Sequence, residues 1–447
     1  MVCLRNAGVG VLTVVMASGA ALAGDGPDAL NGGIFGFANF ATGETNAVAF
    51  GVSICNVGNA QLDVVANTNE HPITTHNLYR VDGEGITQLG VSWVSHRFCA
   101  LQQNLCDPCT PAGGVCPPVL GVGCSDVTSA TFEGVQSNLS SRSTVNASTA
   151  EFQYPFPPAT GDALFKRLQY SAEDAIPVQN PGARYFAESI TLAPDDDASG
   201  NDGNNASFRE VLMDDDGRIQ SLTGATVRGL PAVFAWQEVD ASVRIEQTDI
   251  PSDGRVYVAS DAHDNGDGTW TYTYSVMNLN SHESVRAVMV PTAVNADAGS
   301  ASFSDVDYHS GDPYDGTDWG ATVDASGITW STETIGQNAN ANAIRWATAY
   351  RFSFVSPDPP ADGTVELLTF RSGLSVSVGA IAPEAVTTCP GDCDMSGAVE
   401  FGDLVCLLGL FGEVPSGSSA PEDCDGSGSV SFADLVCTLG NFGPCVE

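Results

Sequence analysis

Large apolar and small polar residues alternate in three stretches of the second half of the chain: Trp270-Thr-Tyr272-Thr-Tyr274-Ser-Val276, Tyr350-Arg-Phe352-Ser-Phe354 and Leu374-Ser-Val376-Ser-Val378. A period of two predicts a half-buried strand, because successive side chains leave a sheet on opposite faces. Asp264 to Gly268 has the residues of a turn and feeds the Trp270 strand. In the first half the apolar runs are short and Gly, Asn and Thr surround them. Ala47 to Cys55, Gln61 to Val65, Ile86 to Val94 and Val233 to Trp236 have strand length and strand composition. Sustained helical periodicity is confined to the C-terminal end, where Leu-Val-Cys-x-Leu-Gly occurs twice.

These patterns predict a mainly β protein, with an antiparallel β-sandwich-type body of one or two domains and a small all-α C-terminal module. The expected divisions are a signal peptide over 1–23, a disulfide-containing β-rich domain over 24–240, a β-sandwich-like domain over 241–383, a linker over 384–388 and the C-terminal module over 389–447. The signal peptide rests on Arg5, the apolar run Val9 to Leu22 and the cleavage-type triplet Ala21-Leu22-Ala23. Export is therefore expected, to the periplasm, the cell surface or the medium. No other stretch approaches the roughly 18 apolar residues of a membrane helix, so no span is expected in the mature chain.

Charge narrows the partners. The chain of 447 residues carries 16 Lys plus Arg against 54 Asp plus Glu, a formal charge of −38, and its one lysine is Lys166. Such a chain repels phosphate backbones and anionic membrane surfaces, which argues against nucleic acid as a partner. Cations, above all Ca²⁺, and neutral surfaces such as glycans fit better. Beyond Cys3, twelve cysteines fall into two groups of six, Cys55 to Cys124 and Cys389 to Cys445. Two even sets in an exported chain predict disulfides. Cys106-Asp-Pro-Cys109 also has the pair spacing of a zinc site, but the spacing around it is irregular.

The most specific signal is an internal repeat. Asp392-Cys-Asp394-Met-Ser396-Gly397-Ala398-Val-Glu400-Phe-Gly-Asp403 is followed 31 residues later by Asp423-Cys-Asp425-Gly-Ser427-Gly428-Ser429-Val-Ser431-Phe-Ala-Asp434. Both copies have the ligand spacing of an EF-hand calcium loop: oxygens at positions 1, 3 and 5, glycine at 6, an apolar residue at 8 and an acid at 12. Ca²⁺ takes 6–8 hard oxygens, and a tight loop supplies them from alternate residues. The first site would use the side chains of Asp392, Asp394, Ser396 and Asp403 with the carbonyl of Ala398. The second would use Asp423, Asp425, Ser427 and Asp434 with the carbonyl of Ser429. Glu400 and Ser431, at position 9, would act directly or through water. Two Ca²⁺ ions are expected.

This repeat resembles the type I dockerin module, with Asp at position 12 and no helix before either loop. Cys389-Pro-Gly-Asp392 and Phe442-Gly-Pro-Cys445 look like the dockerin-like tails of secreted planctomycete proteins. The resemblance covers about 59 residues and implies two bound Ca²⁺ and noncovalent docking, with cohesin as the family's partner. It departs from the family at loop positions 10 and 11, where Phe401-Gly402 and Phe432-Ala433 replace the usual Ser/Thr pair. Cys389 and Cys445 bracket the module and suit a clasp; the other four cysteines allow three pairings. The body resembles segments of uncharacterised secreted planctomycete proteins, a likeness that implies no activity.

Elsewhere, Asp305-Val-Asp307-Tyr-His309 would place three metal- or proton-handling side chains on one face if it were extended. Asp195-Asp-Asp197-Ala-Ser199-Gly200 begins like a further calcium loop but fails at positions 8 and 12, Asp202 and Ala206. His71, His76 and His96 are too scattered to define a site. The sequence contains no G-x-S-x-G elbow, H-E-x-x-H helix or P-loop. The leading expectation is an exported non-enzymatic protein whose β-rich body is carried by a Ca²⁺-dependent docking tail. The alternatives are a tethered glycoside hydrolase, which the dockerin resemblance brings by association, and a glycan-binding module using Trp270, Tyr272 or Trp319.

Overall fold

The computed structural model describes residues 25–385, 389–394, 396–412 and 421–445. The expected signal peptide, 1–23, and residues 386–388 of the expected linker lie outside the described residues. The body is mainly β. Its four larger sheets are antiparallel throughout.

The first sheet carries Ala29–Ala41 and Thr45–Asn56, with Leu168–Ser171 and Ser125–Thr128 on the latter strand. The second is built around Ile73–Asp82, Arg184–Leu192 and Ala206–Met213. The third orders Arg244–Asp249, Arg255–Asp264, Trp270–Asn278, Thr348–Ser356 and Asp297–Ser304. The fourth orders Gly320–Asp324, Gly327–Ser331, Val285–Val290, Pro360–Thr369 and Ser375–Pro383.

Side-chain alternation joins these sheets through three apolar cores. Leu78 of the second sheet meets Val48, Phe50 and Val52 of the first. Its neighbour Tyr79 leaves the opposite face and joins Tyr257, Ala259 and Met277 of the third sheet. Val256, Val258, Tyr272, Tyr274, Phe352 and Phe354 leave the other face of the third sheet and meet Val288, Trp330 and Leu367 of the fourth. The three alternating stretches of sequence are strands as expected, and Tyr272 lies opposite Phe354 and Tyr274 opposite Phe352. Apolar packing runs across residue 240, since Phe186 and Phe208 share a cluster with Val243 and Tyr257.

Two local expectations change. Val233 to Trp236 opens a six-residue helix, Phe234–Val239, rather than a strand. The amides of Phe234, Ala235 and Trp236 donate to the carbonyls of Pro231, Ala232 and Val233, and Ala235 and Trp236 are buried. A short apolar run does not distinguish a strand from a buried helical turn. Gln61 to Val65 shrinks to the two-residue strand Leu62–Asp63.

The C-terminal module contains two nine-residue helices, Phe401–Gly409 and Phe432–Gly440. It is not wholly helical: Ala398–Val399 pairs with Gly443–Pro444. The Cys389–Cys445 bond closes the module end to end, and Cys445 donates its N–H to the carbonyl of Gly397 at 2.9 Å. No helix among the described residues is long and apolar enough to cross a membrane.

Candidate metal centre

The two acidic loops share the same set of backbone hydrogen bonds to their carboxylates. In the first, the N–H of Ser396 donates to Asp392 Oδ1 at 2.9 Å and that of Gly397 to Asp392 Oδ2 at 3.0 Å. In the second, Ser427 and Gly428 donate to the same two oxygens of Asp423 at 2.8 Å each. At the far end Asp394 and Glu400 donate their N–H groups to Asp403 at 3.0 and 2.7 Å; Asp425 and Ser431 donate to Asp434 at 3.1 and 2.7 Å. Gly397 and Gly428 have φ of 82° and 84°, a left-handed turn that glycine adopts without strain. The turn lets position 6 reach back to position 1.

These bonds gather one oxygen each from Asp392, Asp394 and Asp403 within 4.8 Å of one another, and likewise from Asp423, Asp425 and Asp434. Either triad could hold a metal ion. Ser396 Oγ donates to the carbonyl of Ala398 at 3.0 Å, and Ser427 Oγ to that of Ser429 at 3.2 Å, so the remaining expected donors also lie together. Glu400 is outside the gathered set and exposed, and Ser431 Oγ is bonded to Asp434 at 3.1 Å. Ser431 thus touches its cluster through Asp434, whereas Glu400 accepts the backbone N–H of Asp403 and stays outside its loop's three gathered carboxylates.

The donor set tests which metal fits. It consists of carboxylate, hydroxyl and carbonyl oxygens, with no imidazole, and the nearby cysteines are committed to disulfides. Hard oxygens alone suit Ca²⁺ or Mg²⁺ and not Zn²⁺. Burial pushes the Asp392 carboxyl above its usual range, and the charges of Asp403 and Asp394 push the same way. At Asp434 burial acts in the same sense, but hydrogen bonds from the amides of Asp425 and Ser431 outweigh it and hold the group below its usual range. Three carboxylates packed this closely repel one another, and a divalent cation would remove that cost.

Each loop is also stapled to its helix. Cys393 bonds Cys406 and Cys424 bonds Cys437, equivalent pairs 13 residues apart in sequence. This selects one of the three pairings the sequence allows. The small interior holds Cys393, Leu407 and Val430. The opposite helix faces stay in solvent: Phe401 is 72 % exposed and Phe432 71 %, and Val405, Leu408 and Phe411 match Val436, Leu439 and Phe442 as exposed residues. The repeat thus duplicates an apolar surface together with the loops.

Other candidates are dispersed or already occupied. The six body cysteines form Cys55–Cys106, Cys99–Cys116 and Cys109–Cys124, which leaves no thiolate there for zinc. Six disulfides among the described residues suit an oxidising compartment. Asp305, Asp307 and His309 do not converge. The strand ends at Ser304, Asp305 accepts from Asn342, Asp307 is exposed, and His309 is buried with Nδ1 3.3 Å from Arg142 Nη2. Burial and the neighbouring guanidinium push His309 down to about 3. Asp195 and Asp196 serve as acceptors for the amides of Asp63 and Ala29, at 2.7 and 2.8 Å. Tyr272 and Trp319 belong to the core and offer no surface strip.

A cleft of about 690 Å³ contains Asp82, Glu84, Asp240 and Asp261. Arg80 holds Asp82 at 2.8 Å, Arg351 holds Glu84 at 3.1 Å, and the Ser242 hydroxyl reaches both Asp240 and Asp261. The Ser242 hydrogen bonds keep Asp240 below its ordinary range.

Sequence reasoning missed a buried polar group centred on Glu133. Arg97 Nη2 lies 2.8 Å from Glu133 Oε1, His76 Nε2 lies 3.5 Å from Oε2, and Ser95 and Thr128 donate their hydroxyls. Beside it, His71 Nε2 and His96 Nδ1 are 2.9 Å apart and His96 Nε2 is 2.7 Å from Ser140 Oγ. The chain has the connectivity of a nucleophile relay. Burial, however, pushes His96 down to about 3, far below the range of a useful base at neutral pH.

No protein-family model matches this chain, and no curated protein matches it. Solved structures give weak likenesses. A serine-rich repeat adhesion glycoprotein from Streptococcus agalactiae is 12% identical, with 76% of this chain and 89% of that one covered and a TM-score of 0.21. An exo-β-D-glucosaminidase is 11% identical at a TM-score of 0.17, with 73% of this chain covered. An exo-chitosanase from Amycolatopsis orientalis is 9% identical at a TM-score of 0.13, with 74% of this chain covered. The match spans only 25% of the length of either glycosidase chain. Likeness at this level does not extend to activity.

Proposed function

We propose that residues 389–447 are a calcium-loaded docking module of the dockerin type, carried by an exported protein whose β-rich body is not itself an enzyme. Two Ca²⁺ ions bind, one per loop, through Asp392, Asp394, Ser396, Asp403 and the Ala398 carbonyl, and through Asp423, Asp425, Ser427, Asp434 and the Ser429 carbonyl. Glu400 and Ser431 act through water. The body consists of β-sandwiches made from successive pairs of sheets. The partner is a cohesin-like protein, met outside the cytoplasm after the signal peptide has been removed.

The single observation that carries this reading is the duplication of the whole unit. Acidic triad, loop hydrogen bonds, disulfide and exposed apolar face all recur 31 residues apart. An acidic turn without a ligand has no reason to preserve the bonds that crowd its carboxylates. A surface of matched exposed Phe, Val and Leu residues supports an interaction role, since such patches are uncommon on monomeric proteins.

The test is calorimetric titration of Ca²⁺ into the full chain, beside an Asp392→Ala, Asp423→Ala double variant. Two ions in the parent and none in the variant are expected. A parent that takes up no Ca²⁺ sinks the reading. Capture of a cohesin by the calcium-loaded parent, and not by the variant, tests the partner.

A further inference from the structure

A concavity lies in the body, formed by residues outside the tail. A pocket of about 530 Å³ opens beside the His71–His96 pair, within the size range of small-molecule sites. Its aromatic lining comes from three separate segments. Phe98 and Phe132 form an edge-on pair with centroids 5.5 Å apart. Tyr154 and Phe156 form another at 5.8 Å, and Phe156 stacks flat on His96 at 4.4 Å. Phe98 is 44 % exposed, and Phe132, Tyr154 and Phe156 are partly so. Aromatic carbon left in water around a concavity is a cost that an occupant would relieve.

The polar lining selects the occupant. Arg97 is neutralised from behind by Glu133 at 2.8 Å and Asp126 at 3.8 Å. His71 and His96 are bonded to each other, and burial keeps both uncharged at neutral pH. The pocket therefore offers a bound ion no free counter-charge, and the chain's net charge of −38 repels anions. What remains is neutral and hydrogen-bonding. Ser137 is exposed at the rim. The side-chain amide of Asn138 donates to the His96 carbonyl at 3.1 Å, and that of Asn67 accepts the Tyr154 hydroxyl at 3.2 Å, so each amide retains capacity. Aromatic faces together with a few neutral amide and hydroxyl groups match a ligand that is apolar on one face and hydroxylated at its edge. An aromatic ring carries negative charge on its face and so attracts the C–H groups of a sugar ring.

We propose that this pocket binds an uncharged pyranose residue of a glycan, its C–H face against the aromatic rings and its hydroxyls on Asn67, Ser137 and Asn138. The experiment uses the full chain and saturation-transfer NMR with cellohexaose, xylohexaose, mannohexaose and chitohexaose as probes, followed by titration of any that bind. Indole serves as a non-sugar aromatic probe. The expected result is saturable binding of at least one oligosaccharide, weakened tenfold or more in Phe98→Ala and in Ser137→Trp, which fills the rim from an exposed position. Both sites are solvent-facing, so melting temperatures should stay near the parent's and verify folding. Binding of none of the four, binding of indole alone, or oligosaccharide binding unchanged in both variants would overturn the proposal. Neither result depends on whether the tail binds Ca²⁺.

Discussion

The backbone N–H of Asp394 donates to Oδ1 of Asp403 at 3.0 Å, tying the third residue of the first acidic loop to the first turn of the helix after it. The other oxygen of Asp403 accepts the N–H of Glu400 at 2.7 Å and so caps that helix. One carboxylate thus serves the loop, the helix start and the cluster of three acids. Asp434 repeats all three contacts.

Asp403→Ala should therefore damage the helix and the proposed calcium site together. Loss of the cap costs about 1 kcal/mol, and loss of one of three gathered carboxylates removes the ion from that loop. The expected outcome is a Ca²⁺ stoichiometry reduced from two to one, with weaker ellipticity at 222 nm that excess Ca²⁺ does not restore. A variant with parental stoichiometry and helix signal would contradict this.

Chelation should loosen the tail without unfolding it. Each of the Cys393–Cys406 and Cys424–Cys437 bonds closes a short loop, worth about 3 kcal/mol in restricting the unfolded chain. A chelator alone should give a partial loss of helix, and chelator with reductant a complete one. Hydrogen exchange on the full chain reads both stages, with the amides of Ser396, Gly397, Ser427 and Gly428 reporting the loops and those of Phe401–Gly409 and Phe432–Gly440 the helices. Full protection in chelator would count against a metal-dependent loop.

The exposed helix faces should be separable from metal binding. Phe401→Ser with Phe432→Ser removes apolar surface that touches little, so stability should change by no more than about 0.5 kcal/mol. The variant should keep two Ca²⁺ and lose binding of a hydrophobic dye. Dye fluorescence equal to the parent's would show that these faces are not an accessible patch.

Glu133 should give the body an acid-sensitive lock. Burial opposes its ionisation, but the Arg97 guanidinium and the His76 and Ser95 contacts prevail and hold it down to about 2 against an ordinary 4.5. A depressed carboxyl stabilises the fold above its unfolded value, and that contribution fades as pH falls from about 4.5 through about 2. The span corresponds to roughly 3 kcal/mol by linkage. Glu133→Gln should therefore be markedly less stable than the parent at pH 6, with the difference narrowing towards pH 2. Denaturant melts across that range measure it; a gap independent of pH would refute the assignment.

The paired acidic clusters were legible because their determinants are local. Twelve consecutive residues set which oxygens face one another, and glycine at Gly397 and Gly428 permits the turn, so spacing alone identified the triads Asp392, Asp394, Asp403 and Asp423, Asp425, Asp434. The strands around Tyr272, Phe352 and Val376 were legible for the same reason, since a period of two is a property of neighbouring residues. What spacing does not tell is where the position-9 side chain lies: Glu400 is exposed and outside the three gathered carboxylates.

The remainder depended on contacts between distant segments. The Asp305, Asp307 and His309 group looked convergent only on the premise of an extended chain, and the strand stops at Ser304 while Arg142, far away in sequence, claims the surroundings of His309. His71, His96, Phe98, Phe132 and Tyr154 carry no common motif, and only sheet packing brings them to one pocket. Cysteine pairing likewise followed from which loop lay against which helix. Neighbouring residues alone set the β alternation and the ligand spacing of each acidic loop. Tertiary structure decided the cores between sheets, the disulfide partners and the aromatic pocket, because each is made by side chains whose separation along the chain says nothing of their separation in space.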